Sequence, residues 1–381
     1  MSPPDDPYVY PGTTVLRNTL NLRDAEQLSL AEDRRAGVRY AALLDELPKP
    51  PFTFETLKDI HRALFQDVYR WAGEPRTIAL GKPEFDDPRS RVTWFTQPGR
   101  IEAEGTAIFD RLAQANFLTG LERPQFALAA AEFLRDVNGL HAFREGNGRS
   151  QRLMLASIGE NASNPMAFDV VTRERMVATS IDASHGDASG LARLMDDVTD
   201  PRRNTALRTA LDALRQHGAG SWNDLYIATA QAGQTYDGVL VGRAGPHFMM
   251  RVDEPARSWV AIGGADDLPA TAKDGQPITV VATQFTATLT HTPAADKALT
   301  AAPPARGVVL DTLLATMRPR TNTTTPPWEP NSTPMTERFR ATEERVAQAK
   351  DKSAPKPEQR PKTEPAPEPG PSKPRSGPRP G

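Results

Sequence analysis

One stretch of twelve residues constrains this chain more than any other part of it. Residues 141–152 read HAFREGNGRSQR, and an apolar helical pattern follows, made of Leu153, Met154, Leu155 and Ile158. The turn Gly146–Gly148 therefore opens a helix, whose first amide groups lack partners within the helix and can bind an anion. The alternative is the Asn-Gly turn of a β-hairpin, but a strand should follow such a turn and the following residues read as helix.

Two arginines, Arg149 and Arg152, lie three residues apart on one face of the first turn of this predicted helix. At the N-terminus of a helix, the helix dipole disfavours each of these cations by roughly 0.3–1 kcal/mol. A bound polyanion would offset this cost, and sequences that break a local rule without visible compensation often do so at functional sites. Together with the base His141 and the carboxylate Glu145, these residues give the stretch a phosphate-binding geometry.

The stretch matches the signature HxFx(D/E)GNGRxxR of the Fic (filamentation induced by cAMP) family at every specified position, so the chain resembles that family. The resemblance implies that His141 is the general base that deprotonates a target hydroxyl, that Phe143 anchors the loop and that Glu145 binds Mg²⁺. It also implies a phosphate-binding set: Gly146, Asn147 and Gly148 at the α-phosphate of ATP, and Arg149 and Arg152 at the β- and γ-phosphates.

Composition narrows the class of protein. The chain has 381 residues and no cysteine, and the lack of cysteine excludes a disulfide framework. Its formal net charge of −2 gives no bias towards binding nucleic acid. No apolar run approaches the roughly 18 residues needed to span a bilayer, and the N-terminus lacks the pattern of a signal peptide. We expect a bacterial cytoplasmic protein that does not bind membranes and whose Fic domain does not bind nucleic acid directly.

Periodic patterns predict a mainly α fold with a β-hairpin flap. The predicted helices cover about 24–47, 53–69, 99–116, 124–140, the motif helix, 172–184, 189–198 and 204–217. Two β-prone runs, Arg76–Leu80 and Arg91–Phe95, predict a hairpin between the second and third helices. In the Fic family, a flap at this place pairs with an extended target segment, which implies that the target protein docks at about Arg76–Phe95. His61, far from the motif in sequence, is interpreted as structural.

The second half of the chain has a different pattern. Four β-like runs, at 235–242, 247–252, 258–262 and 277–282, predict a small β-rich domain that weakly resembles KfrB-like domains. The 36 prolines concentrate from about Pro303 onward, and the last stretch, Lys352 to Gly381, has almost no apolar residues and cannot bury a core. We therefore predict three parts: a Fic-type helical bundle at 1–217, the β-rich domain at 218–290 and a disordered proline-rich tail at 291–381.

The resemblance implies a protein adenylyltransferase that moves AMP from Mg-ATP to a hydroxyl side chain of a target protein. Relatives that transfer phosphate carry lysine where this chain has Gly148, which favours AMP transfer. A non-catalytic binding module is an alternative, but His141 and Glu145 are both retained. Interpretations as a metalloprotease or a P-loop protein fail because their motifs are missing from the sequence.

Targets and control follow only from the resemblance. Bacterial toxins of the family imply type II topoisomerases as targets. The alternative is a type IV-secreted effector that acts on a host protein such as a small GTPase, consistent with Lys373, Arg375 and Arg379 in the tail. Family members are inhibited by a helix with the pattern [S/T]xxxE[G/N], and no glutamate of this chain followed by Gly or Asn fits that pattern. A separate small antitoxin is therefore expected to supply the inhibitory helix.

Overall fold

A computed structural model describes residues 6–84, 92–216, 222–254, 257–283 and 285. All of these residues belong to one compact unit. No helix in these ranges combines the length and apolar character required to cross a membrane. The predicted proline-rich tail lies outside the described residues.

Eight α-helices form the largest part of the secondary structure in the described residues, as the periodicity predicts. In chain order they are α1 Ala25–Asp45, α2 Phe54–Phe65, α3 Ile101–Gln114, α4 Arg123–Leu140, α5 Asn147–Asn161, α6 Arg173–Ser184, α7 Ser189–Thr199 and α8 Pro201–Gln216. Three of them begin after a residue whose side chain accepts a backbone hydrogen bond of the first turn, namely Asp24, Thr53 and Thr172.

Two helix ends differ from the prediction by more than two residues. The second helix ends at Phe65, so Val68 is buried just beyond it rather than on its apolar stripe. The last helix begins at Pro201, three residues before the predicted start at Asn204. Proline suits the first helical turn, where its missing N–H would have had no partner within the helix.

The motif helix α5 lies inside the bundle, against α1, α2 and α4. Its predicted apolar residues are fully buried: Leu153, Met154, Leu155 and Ile158 are each 0% exposed. Helix α4 packs along α3 and α7 and ends at the motif. The core thus fixes both helices that flank residues 141–146.

The flap hairpin exists, but its first strand lies further along the chain than predicted. Strand β1 is Gly81–Pro83 and strand β2 is Val92–Trp94, antiparallel, with Lys82 opposite Thr93. The predicted strand Arg76–Leu80 is not a strand, because the Arg76 N–H donates to the Ala142 carbonyl at 2.8 Å instead of to a neighbouring strand. Arg91, at the start of the second predicted strand, is outside the described residues.

A five-stranded sheet follows α8. Its strands are β3 Ile227–Thr229, β4 Thr235–Ala244, β5 His247–Asp253, β6 Ser258–Gly264 and β7 Pro277–Val281, in the order β3-β6-β5-β4-β7. The four predicted runs correspond to β4–β7. Strand β3 was not predicted; it has three residues and pairs parallel with β6, more than thirty residues later.

The sheet buries side chains on both faces. Ile227, Met249 and Ile262 belong to the same hydrophobic cluster as the helices, whereas Phe248, Met250 and Trp259 form a second cluster. Strand β3 and α8 are direct neighbours. The helices and the sheet therefore share a core, and the predicted domain boundary at 217–218, next to the undescribed residues 217–221, stays a prediction.

Candidate active site

His141 lies immediately after α4 in a left-handed backbone conformation, with φ 42° and ψ 58°. Its N–H donates to the Val137 carbonyl at 3.0 Å, which closes the end of the helix. A residue other than glycine in this conformation is strained, and such strain is concentrated at functional sites. The side chain is buried, with 3% of the residue exposed.

The hydrogen bonds of the His141 ring determine its tautomer. Lys82 Nζ lies 2.9 Å from Nε2, and an ammonium group can only donate, so Nε2 presents its lone pair. The backbone of Asn138 forms a hydrogen bond that favours the protonated ring, which assigns the ring N–H to Nδ1. Burial, followed by the charges of Lys82 and Arg76, lowers the pKa of His141 well below its usual range. The ring is therefore a neutral base at pH 7.

Two residues that the sequence reasoning missed support His141. The Arg76 guanidinium donates to the carbonyls of His141 at 2.8 Å and Thr96 at 2.5 Å, although Arg76 is only 1% exposed. Its burial lowers the pKa of Arg76 to about 10. The Phe95 ring stacks on the imidazole with 3.9 Å between centroids and 12° between planes. In the sequence, Arg76 was marked only by being a charged residue at the start of a predicted apolar strand.

His61 anchors the motif loop, which agrees with the structural interpretation. Its Nδ1 accepts from the Gly73 N–H at 2.8 Å, so its Nε2 donates to the Glu145 carbonyl at 2.9 Å. Phe143 stacks on the His61 ring at 3.8 Å, and both residues are buried. Burial lowers the pKa of His61 to about 3, so the ring stays neutral and keeps this arrangement.

The turn before α5 is built by Gly146 and Asn147. Gly146 has φ +85°, and an added Cβ would lie 2.4 Å from the Phe65 ring. The Asn147 amide donates to the Phe143 carbonyl and accepts from the Phe143 N–H, at 2.8 and 3.0 Å. Its side chain thus closes the loop, while its backbone N–H lies in the first turn of the helix.

The N-terminus of α5 is open for an anion. No side chain caps it, and the first hydrogen bond of the helix is donated by Ser150 to the Gly146 carbonyl. The amides of Asn147, Gly148 and Arg149 precede that bond. Three amides and the positive end of the helix dipole suit a phosphate group.

Arg149 is held by acidic residues that the sequence reasoning did not identify. Its guanidinium contacts Glu32, lies 3.5 Å from Asp33 and 3.7 Å from Glu145, and covers the Phe65 ring. Burial alone would lower the pKa of Arg149, but the carboxylates of Glu32 and Asp33 outweigh it and raise the pKa. The conflict with the helix dipole is therefore offset inside the chain, by α1, and not only by a bound polyanion as we expected.

Arg152 has different surroundings from Arg149. It is partly buried and forms a side-chain hydrogen bond with Tyr40 of α1. Burial raises the pKa of Tyr40, and the nearby charge of Arg152 opposes that rise. The two motif arginines thus contact different residues of α1, although they lie one turn apart.

Glu145 is the one motif carboxylate, and its chemistry fits a magnesium site. Its Oε1 accepts from the Gly146 N–H at 3.0 Å. Burial and the neighbouring Glu32 raise the pKa of Glu145, so a cation there would stabilise its charged form. Among the described residues, no group of three acidic or histidine side chains could bind a metal alone. Mg²⁺ commonly uses one or two carboxylates together with substrate phosphates, so a single carboxylate at this place fits such a site.

The flap covers the base. Lys82 of β1 and Phe95 after β2 lie over His141, beside a cavity of about 80 Å³ that Ser180 and Ile181 of α6 also line. Glu84 accepts from Thr93 at 3.0 Å and pairs with His185, after α6, at 2.9 Å. The hairpin is therefore connected to both α4 and α6 next to His141.

Comparison with known proteins agrees with this geometry. The sequence profile of the Fic/DOC family matches residues 51–158. A probable protein adenylyltransferase of Sinorhizobium fredii, y4lH, is 35% identical over 189 residues, which cover 49% of this chain and 93% of that protein. The chain belongs to the Fic/DOC family.

Two further relatives match a longer part of this chain than the Fic/DOC profile does. A protein adenylyltransferase of Bartonella henselae is 31% identical over 271 residues, 69% of this chain, and the chain spans 49% of that protein's length. The solved structure of the type IV secretion system effector protein BepA has a TM-score of 0.62 and 28% identity, covering 73% of this chain and 96% of that chain. The match of this chain to proteins named protein adenylyltransferases thus extends beyond residues 51–158.

Proposed function

We propose that this chain transfers AMP from Mg-ATP to a hydroxyl side chain of a target protein. The observation that carries the proposal is the buried, neutral His141, whose Nε2 lone pair lies beside the flap and close in sequence to the open end of α5. His141 Nε2 takes the proton of the target hydroxyl, whose oxygen attacks the α-phosphorus, and pyrophosphate leaves. A positioned base of this kind typically contributes roughly 10²–10⁴-fold to a rate.

The remaining motif residues would bind the nucleotide. The amides of Gly148 and its neighbours would hold the α-phosphate side, and Arg152 would hold the γ-phosphate. Arg149 would contact the β-phosphate in competition with Glu32 and Asp33, which hold its guanidinium in this structure. Glu145 would hold Mg²⁺, which offsets the charge of the phosphates when bound. Alignment and charge neutralisation then supply most of the rate enhancement.

Tagged ATP tests this function whichever protein is the target. A bacterial lysate would be incubated with the purified chain and with an ATP analogue whose tag remains on AMP. We expect one or a few tagged proteins, identified by mass spectrometry, and none with the His141→Ala variant. Tagging that is equal for the two proteins would contradict the assignment of the base.

For a chain acting inside its own cell, we propose type II topoisomerases as targets and a separate small antitoxin as inhibitor. The family resemblance supports this, together with the absence of the inhibitory pattern from the sequence. Expression of the chain alone should then stop bacterial growth or cause filamentation, and the small open reading frame beside its gene should relieve the effect. If the active chain does not affect growth, the proposal that it is a toxin is contradicted.

A second candidate is an effector exported by a type IV secretion system. The specific support is the likeness to BepA over 73% of this chain, which reaches beyond the residues that match the Fic/DOC profile. A reporter fused to the residues after about Thr290 should then reach recipient cells from a secretion-competent host. No transfer in that assay would count against export.

A further inference from the structure

The flap places a lysine on the base itself. Lys82, the middle residue of β1, has its Nζ 2.9 Å from Nε2 of His141 and 5.5 Å from the centre of the Phe95 ring that stacks on the imidazole. Nε2 has a single lone pair, in the plane of the ring, and it accepts one donor at a time. The atom that has to receive the proton of the target hydroxyl is therefore already bonded.

We propose that Lys82 is a gate on the general base: its ammonium group occupies Nε2 of His141 until a target hydroxyl displaces it. The inference rests on the proposed function and adds a residue to it. Because Lys82 contacts the reacting atom of His141 directly, it belongs to the catalytic residues. Its effect is to link use of the base to the presence of a target.

The position of Lys82 explains why a target could displace it. Lys82 belongs to the flap, opposite Thr93 in the hairpin, and Val92 and Trp94 on either side of Thr93 are 39% and 65% exposed. A segment that docks on the flap covers these exposed side chains and brings its hydroxyl to His141. The hairpin on which the target docks is thus the same one that carries Lys82, the residue that must leave His141.

The gate suppresses a side reaction. When ATP is bound without a target, water is the alternative nucleophile: its oxygen would form a bond to the α-phosphorus, the bond to pyrophosphate would break, and Nε2 would take the water proton, giving AMP and pyrophosphate. While the ammonium group occupies Nε2, water cannot transfer its proton there. ATP is then spared until a target hydroxyl arrives.

The first test measures the contact without any substrate. Histidine ring signals of the labelled protein are followed by NMR against pH, with the signal of His141, one of six histidines, assigned by its loss in His141→Asn. Within the described residues, the charged groups that face this ring are Lys82 and Arg76. The Lys82→Met substitution should raise the pKa of His141 by about one unit, because it removes the positive charge of Lys82 next to the ring. An unchanged titration would overturn the proposal.

The second test measures the gate. Release of AMP from ATP in the absence of any target should rise roughly tenfold or more in Lys82→Met, since the base becomes available to water. Lys82→Arg, which keeps a charged donor, should restore the low rate. An unchanged rate in Lys82→Met would overturn the gate even if the titration shifts. A parent protein that transfers no AMP to any lysate protein would instead contradict the proposed function.

The matched control is Lys58→Met. Lys58 on α2 pairs with Glu55 at 2.8 Å and with Glu102 at 3.2 Å, and it makes no contact with the motif loop among the described residues. This variant loses the same charge and the same atoms as Lys82→Met. It should leave both the His141 titration and the release of AMP as in the parent, and thermal melting should show that all three lysine variants are folded.

Discussion

At the scale of single residues, the turn before α5 depends on a glycine. Gly146 combines φ +85° with a position where a Cβ would lie 2.4 Å from the Phe65 ring. Gly146→Ala should therefore lower the free energy of unfolding by about 2–4 kcal/mol, the sum of backbone strain and overpacking. Urea denaturation measures this difference.

Gly139 provides the control for that prediction. It lies in the last turn of α4, close to the site, and an added Cβ would meet no atom within 4 Å. Gly139→Ala should be neutral or stabilising by up to about 1 kcal/mol, because alanine is the better helix former. Equal destabilisation by the two substitutions would show that the conformation of the turn is not the cause.

His61 gives the fold a dependence on pH. Its pKa is about 3 in the folded chain against an ordinary value of 6.5, so the neutral ring stabilises the fold fully above pH 6.5. That stabilisation is lost as the pH falls from 6.5 towards 3, because only the unfolded state takes up the proton. The loss should approach about 1.4 kcal/mol per pH unit.

A His61→Gln variant isolates this contribution, because it has no ring to protonate. It should be less stable than the parent at pH 7, having lost the stack on Phe143, and its free energy of unfolding should fall less steeply between pH 6.5 and 4. Denaturant titrations at several pH values give both slopes. Parallel slopes for the two proteins would contradict the assignment of His61 as a buried neutral histidine.

At the scale of elements, the segment before α1 is attached to the motif loop. Asp6 is buried, accepts from the Tyr8 N–H at 2.9 Å through Oδ1, and pairs through Oδ2 with Arg144 at 2.9 Å. Asp6→Asn keeps an acceptor for Tyr8 but removes the charge. We expect a loss of about 2 kcal/mol in the free energy of unfolding, since a charged hydrogen bond with little exposure is broken.

A surface pair tests whether that loss depends on burial. Asp59 pairs with Arg62 on α2, and their side chains are 58% and 43% exposed. Asp59→Asn removes the same charge in water and should change the free energy of unfolding by less than about 1 kcal/mol. If Asp6→Asn costs no more than Asp59→Asn, the segment before α1 does not stabilise the motif loop.

The elements also show what the sequence could and could not predict. Local periodicity and capping residues such as Asp24 and Thr53 located the helices because these signals lie within one element. The start of the flap was displaced and β3 was missed, because the hydrogen bonds of Arg76 to residues 141–142 and the pairing of β3 with β6 join distant parts of the chain.

The candidate site shows the same division. The motif predicted correctly that residues 141–152 lie close together. It could not predict that Arg149 pairs with Glu32, 117 residues earlier in the chain. In the sequence, Glu32 is one of several acidic residues on an amphipathic helix, and nothing local marks it. Lys82 and Phe95 were within the predicted flap, yet their contact with His141 depends on how the hairpin folds over α4.

At the scale of the whole molecule, the described helices and the sheet share one hydrophobic cluster, to which the motif helix also belongs. Side chains of the sheet, including Ile227 and Met249, share a hydrophobic cluster with the bundle. The likeness to BepA covers 73% of this chain, which is more than the 108 residues at positions 51–158 that match the Fic/DOC profile. The sheet thus belongs to the same packed scaffold as the helices that position the motif.

If His141 is the general base for transfer of AMP, ATP labelled at a single phosphorus should show both which group is transferred and whether His141 is needed. Compared with lysate alone, addition of the chain should label lysate proteins when the label is on the α-phosphorus, and it should add no further labelling when the label is on the γ-phosphorus. His141→Ala should lower the transfer by roughly 10²–10⁴-fold, with thermal melting to show that this buried residue can be replaced without unfolding. Transfer of the γ-label, or α-label transfer by His141→Ala within about tenfold of the parent, would contradict the account.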